Sequence, residues 1–95
     1  MSENEWSEWF DFNPELISNI PQIPGVYMMH KNMKILFIGG SKNIKKSIEI
    51  DKLQECISKA SRFRYKKDID YEKSKNELIV DYKKRHEGKY PECMK

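Results

Sequence analysis

Apolar residues follow two different periods along this chain, and the changes of period divide it into elements. Two short apolar runs, residues 26–29 and 34–38, are separated by residues 30–33. This arrangement predicts two antiparallel strands joined by a hairpin turn, in which Asn32 accepts a positive φ. Residues 63–67 begin with strict alternation and predict a third strand.

The first twelve residues form an acidic, aromatic N-terminal segment. Trp6, Trp9 and Phe10 lie at i, i+3 and i+4 spacing, which predicts a short amphipathic helix with its rings on one face. The rings would then pack on the domain itself, in a groove of a protein partner, or in a homodimer contact. Residues 13–15 supply an N-cap, a first-turn proline and a first-turn acid, so a second short helix is expected through about Ile20.

Helical spacing returns between residues 44 and 60, with a break into two helices expected at Asp51. A last helix is predicted over residues 71–86 and is closed by Glu87 and Gly88. The predicted inward-facing residues of these helices are Ile44, Ile48, Leu53, Cys56, Ile57, Ala60, Tyr71, Leu78, Ile79 and Tyr82.

The order of elements predicts the fold class. Two strands joined by a tight turn are antiparallel, and a third must pair with them to bury the apolar faces. We therefore expect one domain over residues 1–95, an α/β (α+β) fold with a small three-stranded, mainly antiparallel sheet flanked by helices. A chain of this length supports a single small core.

The net charge of +3 says little, but its distribution is uneven. Residues 1–30 carry five acids and no Lys or Arg, residues 31–67 carry eleven Lys and Arg against three acids, and residues 68–95 carry seven of each. A basic middle third is typical of a surface that contacts a phosphate backbone, although a merely solvated lysine-rich surface has the same composition. No apolar run is long enough to span a membrane, and the acidic start does not resemble a secretory signal, so a cytoplasmic protein without membrane contact is expected.

The two cysteines, Cys56 and Cys93, do not form a Cys-x-x-Cys pair or a disulfide framework. We expect Cys56 to be buried on a helix and Cys93 to lie near a loose end. With His30 and His86 they number four candidate zinc ligands, but their spacing is unlike that of structural zinc sites, and no metal site is predicted from them.

Residues 24–48 resemble the signature region of the GIY-YIG nuclease superfamily. "PGVYMM" is similar to its first signature strand, and "ILFIGGSKNIKKSI" is similar to its second strand and the following helix. The whole chain is similar to small stand-alone archaeal-type members of uncharacterised role. The resemblance implies a GIY-YIG-like fold, and a family activity in which a phosphodiester is cut by a water nucleophile with the help of a divalent metal.

Carried over residue by residue, the resemblance implies a degenerate catalytic site. Tyr27 matches the tyrosine that draws a proton from the water, whereas Phe37 stands at the second tyrosine position. Gly40 occupies a position that is lysine in some members, and Ser47 occupies the position of the arginine that steadies the phosphate charge. A serine hydroxyl cannot replace a permanently charged, two-pronged donor.

The metal-binding glutamate of the family has no unambiguous counterpart. Glu77 and Glu72 are the nearest acids on the last helix, so either would hold Mg²⁺ or Mn²⁺ if the protein is active. The catalytic candidates are accordingly Tyr27 and Glu77.

Three functional hypotheses follow. The first is a GIY-YIG-like domain that binds DNA or RNA and has lost most catalytic residues. The second is a live metal-dependent endonuclease with a rearranged site that uses Tyr27, Glu77 and Lys46. The third is a protein-interaction module or homodimer without a nucleic-acid role, in which Trp6, Trp9 and Phe10 make the contact. The candidate phosphate-binding residues of the first hypothesis are Lys42, Lys45, Lys46, Lys59, Arg62 and Arg64.

Overall fold

A computed structural model describes residues 5–94 of the chain. Its helices are α1 (Pro14–Ser18), α2 (Ile44–Asp51), α3 (Glu55–Ser58) and α4 (Tyr71–Arg85). Its strands are β1 (Phe10–Asp11), β2 (Gly25–Lys31), β3 (Lys34–Ser41) and β4 (Arg62–Lys67). The strands form one antiparallel sheet in the order β1-β4-β2-β3. The α+β class is therefore confirmed, but the predicted count of three strands was wrong, because β1 adds a fourth.

The predicted amphipathic helix in the N-terminal segment was also wrong. Residues 5–9 have no helical structure, and Phe10 pairs with Phe63 at the edge of the sheet. The Ser7 N–H donates to the Tyr65 carbonyl oxygen at 2.8 Å, and the Tyr65 N–H donates to Ser7 Oγ at 3.0 Å. Pairing with the exposed edge of β4 thus gives backbone groups of this segment hydrogen-bond partners. A helix of this length would leave most of its N–H and C=O groups unpaired. Residues 1–4 of the segment lie outside the described residues.

The predicted β2–β3 hairpin and the positive φ of Asn32 are confirmed, but the turn is residues 32–33 and not 30–33, because β2 continues to Lys31. Asn32 and Met33 both have positive φ, 51° and 67°, which is the conformation of a two-residue turn that suits the twist of a hairpin. A bulge follows: Met29 pairs with Phe37 and His30 pairs with Ile35, so Leu36 is the extra residue on β3.

The sheet buries two different faces because neighbouring residues of a strand point in opposite directions. On one face, Tyr27, Met29 and Phe63 pack with α1, α2 and α3 in the main core, together with Ile17 and other isoleucines of those helices. On the other face, α4 packs against β2 and β3. No residue of α4 is fully buried, so Tyr71, Leu78, Ile79 and Tyr82 face inward only in part.

The helix ends follow local signals. Asn13 caps α1 through a 2.9 Å bond from the Leu16 N–H, and α2 ends at Asp51, as predicted. Leu53 was predicted to face inward, but it is 78% exposed because it lies in the turn between α2 and α3.

The cysteines correct a further prediction, since Cys56 and Cys93 form a disulfide. The bond joins α3 to the C-terminal tail, so Cys93 is not at a loose end. Disulfides are typical of oxidising compartments, although intracellular proteins of hyperthermophiles also contain them, and the cytoplasmic location stays a prediction. Within residues 5–94 no helix is both long and apolar enough to cross a bilayer.

Candidate functional site

Residues 24–48 fold around the Tyr27 ring, which crosses from β2 over the neighbouring strand β3. A Cβ atom on Gly39 would lie 2.4 Å from Tyr27 Cζ and 2.6 Å from the hydroxyl oxygen, so only glycine leaves room for the ring. Phe37 stacks beside it, with ring centroids 6.1 Å apart. Tyr27 is only 3% exposed, which makes its ring part of the core rather than part of an open cleft.

The Tyr27 hydroxyl points to the end of α2, where it donates a hydrogen bond to Asp51 Oδ2. Burial is the main reason why the pKa of Tyr27 is raised far above its usual value, and the hydrogen bond and the negative charge of Asp51 raise it further. Burial also raises the pKa of Asp51, although the bond from Tyr27 acts in the opposite direction. The hydroxyl therefore keeps its proton at neutral pH and already has an acceptor, which is a poor arrangement for a general base.

Ser47, at the position that the resemblance assigns to arginine, lies on the same side of α2. Its Oγ is 2.6 Å from Ser41 Oγ, and Ser41 Oγ accepts the Asn43 N–H at 3.0 Å. The result is a small hydroxyl network at the start of α2, and the side chain of Ser47 serves local structure there.

The two candidate metal ligands lie on the other side of the sheet. A Cβ atom on Gly40, which faces away from Tyr27, would lie 2.8 Å from the Tyr71 carbonyl oxygen and 3.2 Å from Lys75 Cβ, both on α4. Glu72 and Glu77 belong to this helix, and both are exposed. The sheet thus separates them from the Tyr27 ring. In the part of the chain that the structure describes, no three His, Cys, Asp or Glu side chains are grouped closely enough to hold a metal ion.

Three of the six candidate phosphate contacts lie together at one end of the sheet. Gly25, the first residue of β2, pairs with Ser41 on one side and with Lys67 on the other. Lys42 follows Ser41 directly, and the first turn of α2 carries the next two lysines. We call this group the lysine surface and define it as Lys42, Lys45, Lys46 and Lys67.

The other three candidates lie elsewhere. Arg62 pairs with His30 near the opposite end of the sheet, about 17 Å from Lys67 at the rise of a strand, and Lys59 comes shortly before β4 at that end. Arg62 is paired with Asp11 at 3.6 Å. The sheet therefore divides the basic residues into two groups instead of one continuous patch.

Arg64 is enclosed by the N-terminal segment. Its guanidinium carbon lies 4.6 Å from the ring centroids of both Trp6 and Trp9, and its Nε is buried without a hydrogen-bond partner among the described residues. Trp9 also packs edge-on against His30, with centroids 4.0 Å apart. The two indoles thus pack on their own domain, and Arg64 holds them there instead of facing solvent.

Sequence reasoning overlooked two members of these sites. The sequence predicts only a helix break at Asp51, although the spacing of Asp51 from Ile44, Ser47 and Ile48 places all four on one stripe of α2. The sequence predicts Lys67 only as the end of a strand, because the proximity of Lys67 to Lys42 depends on the register of the sheet.

No protein-family model matches the chain, and no curated protein matches it.

Proposed function

We propose that this protein binds nucleic acid through the lysine surface and does not cleave it. The observation that carries the proposal is the grouping of Lys42, Lys45, Lys46 and Lys67 at one end of the sheet. Among the described residues none of the four forms an ion pair, whereas Lys34, Arg62 and Arg85 do. Their charges remain available to a polyanion.

The start of α2 adds to the positive field. The first turn of α2 contains no acid, and Asn43 caps it through the Lys46 N–H at 3.1 Å. Free N–H groups at a helix start carry partial positive charge and favour phosphate. Contacts of this kind are made to the phosphate backbone of the nucleic acid, so they do not select a base sequence.

The same geometry supports binding without hydrolysis. A GIY-YIG-type reaction needs the Tyr27 oxygen to reach a water molecule, but this hydroxyl is buried and bound to Asp51. It also needs a carboxylate that can hold a metal ion beside that tyrosine, but Asp51 there accepts the Tyr27 hydroxyl and Glu77 lies across the sheet. We therefore do not propose the rearranged endonuclease. A docking role for the N-terminal indoles is not proposed either, because both rings pack on Arg64.

The test is a fluorescence-anisotropy titration of labelled duplex DNA, branched DNA and RNA. If the lysine surface neutralises about four phosphates, affinity falls roughly 10²-fold between about 50 and about 200 mM salt. The double variant Lys45→Glu/Lys46→Glu should bind much more weakly at low salt and show a shallower salt slope.

The matched control is Lys73→Glu/Lys84→Glu, which makes the same charge change at exposed positions of α4. It should bind nearly as tightly as the parent protein. Equal losses in both double variants would mean that net charge, not this surface, governs binding. Unchanged binding in the α2 variant would refute the proposal. Denaturing gels of the same samples with Mg²⁺ or Mn²⁺ should show intact strands.

A further inference from the structure

A groove lies at the hairpin end of the sheet, between the last turns of α4 and the C-terminal tail. Its volume is about 660 Å³, within the usual range of small-molecule sites. We call it the tail groove. Its principal lining residues are Lys34, Tyr82, His86, Lys89, Tyr90 and Met94.

One wall of the tail groove is flat and aromatic. The rings of Tyr82 and His86 are stacked, with centroids 3.8 Å apart and planes inclined by 9°. Tyr90 is 49% exposed, and the Lys83 ammonium lies 4.4 Å from its ring centroid. Exposed planar rings next to cations suit a planar ligand that also carries negative charge.

The rim of the groove carries excess positive charge. Glu92 is the only acid that lines it within the described residues, and Lys34 pairs with this carboxylate at 3.0 Å. The hydrogen bond and charge of Lys34 lower the pKa of Glu92, and the charges of Lys59 and Lys31 lower it further. Glu92 thus offsets the charge of Lys34, and Lys89 adds a further cation to the lining.

The wall formed by the tail is held in place before any ligand arrives. The Cys93 N–H donates to the Leu36 carbonyl oxygen at 2.8 Å, and the disulfide to Cys56 fixes the same residue covalently. Pro91 is fully buried. A wall that is already ordered lowers the entropic cost of binding.

We propose that the tail groove binds a nucleotide, with the base against the aromatic wall and the phosphate on the lysine rim. The aromatic surface accounts for affinity towards a base, and the surplus lysine charge accounts for affinity towards a phosphate. The nucleotide is either free or an unpaired nucleotide of a strand. The site is about a strand's length, roughly 20 Å, from the lysine surface, so either site can exist without the other.

The experiment is a two-dimensional amide NMR titration of the full chain with a mononucleotide and, separately, with a short single-stranded oligonucleotide. The matching nucleoside and ribose 5-phosphate are titrated as controls that lack either the phosphate or the base. The expected result is a set of saturable shifts at residues 82–94, stronger with the nucleotide than with either fragment. If the mononucleotide and the oligonucleotide cause shifts at similar concentrations, a free nucleotide is sufficient for binding. If only the oligonucleotide causes shifts, the groove binds an unpaired nucleotide of a strand.

Two variants test the aromatic wall. Tyr90→Leu keeps apolar bulk but removes a ring, and should weaken binding by about 5- to 150-fold, the equivalent of one stacked base. His86→Leu, at an exposed position after α4, provides the same test if the first variant disturbs the tail. Val80→Ala on the exposed side of α4 is the matched control and should leave binding unchanged. Absence of shifts with every ligand, equal shifts with ribose 5-phosphate, or full affinity in both ring variants would overturn the proposal.

Discussion

Replacing Gly39 by alanine tests whether the Tyr27 ring depends on the missing side chain beside it. The new methyl group would lie 2.4 to 2.7 Å from Cζ, the hydroxyl oxygen and Cε2 of the ring. Carbon atoms in contact are normally about 3.5–4.0 Å apart, so the ring must retreat by about 1 Å. Because Tyr27 is only 3% exposed, the core around it has little room for that movement.

The expected cost has two parts. Overpacking of a filled core costs about 1–3 kcal/mol. A displaced ring also weakens its hydrogen bond to Asp51, and bonds to charged groups contribute about 1.5–3 kcal/mol. We expect Gly39→Ala to reduce the free energy of unfolding by about 3 kcal/mol in total, which for a domain of this size lowers Tm by about 12–24 °C.

A double-mutant cycle separates this clash from a general effect on β3. In a Tyr27→Leu background the side chain ends before the ring atoms that meet the new methyl group, so Gly39→Ala should cost less than about 0.5 kcal/mol there. Gly40→Ala is the matched control, because its Cβ meets α4 on the opposite face at 2.8 Å and its cost should be the same in both backgrounds. The measurement is urea unfolding followed by circular dichroism. An equal cost of Gly39→Ala in both backgrounds would refute the reasoning.

Two further predictions concern the Tyr27 hydroxyl and the disulfide. Tyr27→Phe should cost about 1.5–3 kcal/mol at neutral pH because the carboxylate of Asp51 loses its donor. Burial raises the pKa of Asp51, whereas the bond from Tyr27 lowers it, because the bond favours the ionised carboxylate. The stability that this bond contributes is therefore present where Asp51 is ionised and is lost as pH falls and the carboxyl takes up a proton. The cost of Tyr27→Phe should accordingly shrink in urea titrations taken down to about pH 3, and a cost independent of pH would contradict this. The disulfide joins residues 37 apart, and its reduction should cost about 4 kcal/mol from the entropy of the unfolded chain, a fall in Tm of about 15–30 °C. Thermal scans with and without a dithiol measure it, with the Cys56→Ser/Cys93→Ser variant as control; reduction that frees two thiols without lowering Tm would count against it.

Sequence reasoning succeeded where the signal is local. Asn32 adopts its positive φ because a two-residue hairpin turn requires it, and Asn13 caps α1 because its side chain reaches the N–H three residues later. The end of α2 at Asp51 has the same local character. Each of these features is decided within a few residues.

The features that sequence reasoning missed are decided over long separations. Strand β1 forms because β4, some fifty residues later in the chain, has a free edge. The sequence of residues 5–12 contains no signal for that edge. The spacing of Cys56 and Cys93 gives no measure of their distance in space. The position of Glu77 relative to Tyr27 depends on the face of the sheet that α4 covers, and a helix with a broad, weak apolar stripe fits either face.

The uneven charge of the chain acquires a physical meaning once the N-terminal segment is placed. This segment runs along β4, where Asp11 pairs with Arg62 and the indoles of Trp6 and Trp9 enclose Arg64. It therefore protects an edge that would otherwise pair with other chains, and it engages two cations, of which Arg62 stays 56% exposed and Arg64 has a buried Nε. The segment continues along β4 to Tyr65, and the Lys66 ammonium lies 5.4 Å from the Trp6 ring centroid. The acidic first third and the basic middle third consequently meet along β4, and the proposed phosphate contacts of the lysine surface concern basic residues that this contact does not engage.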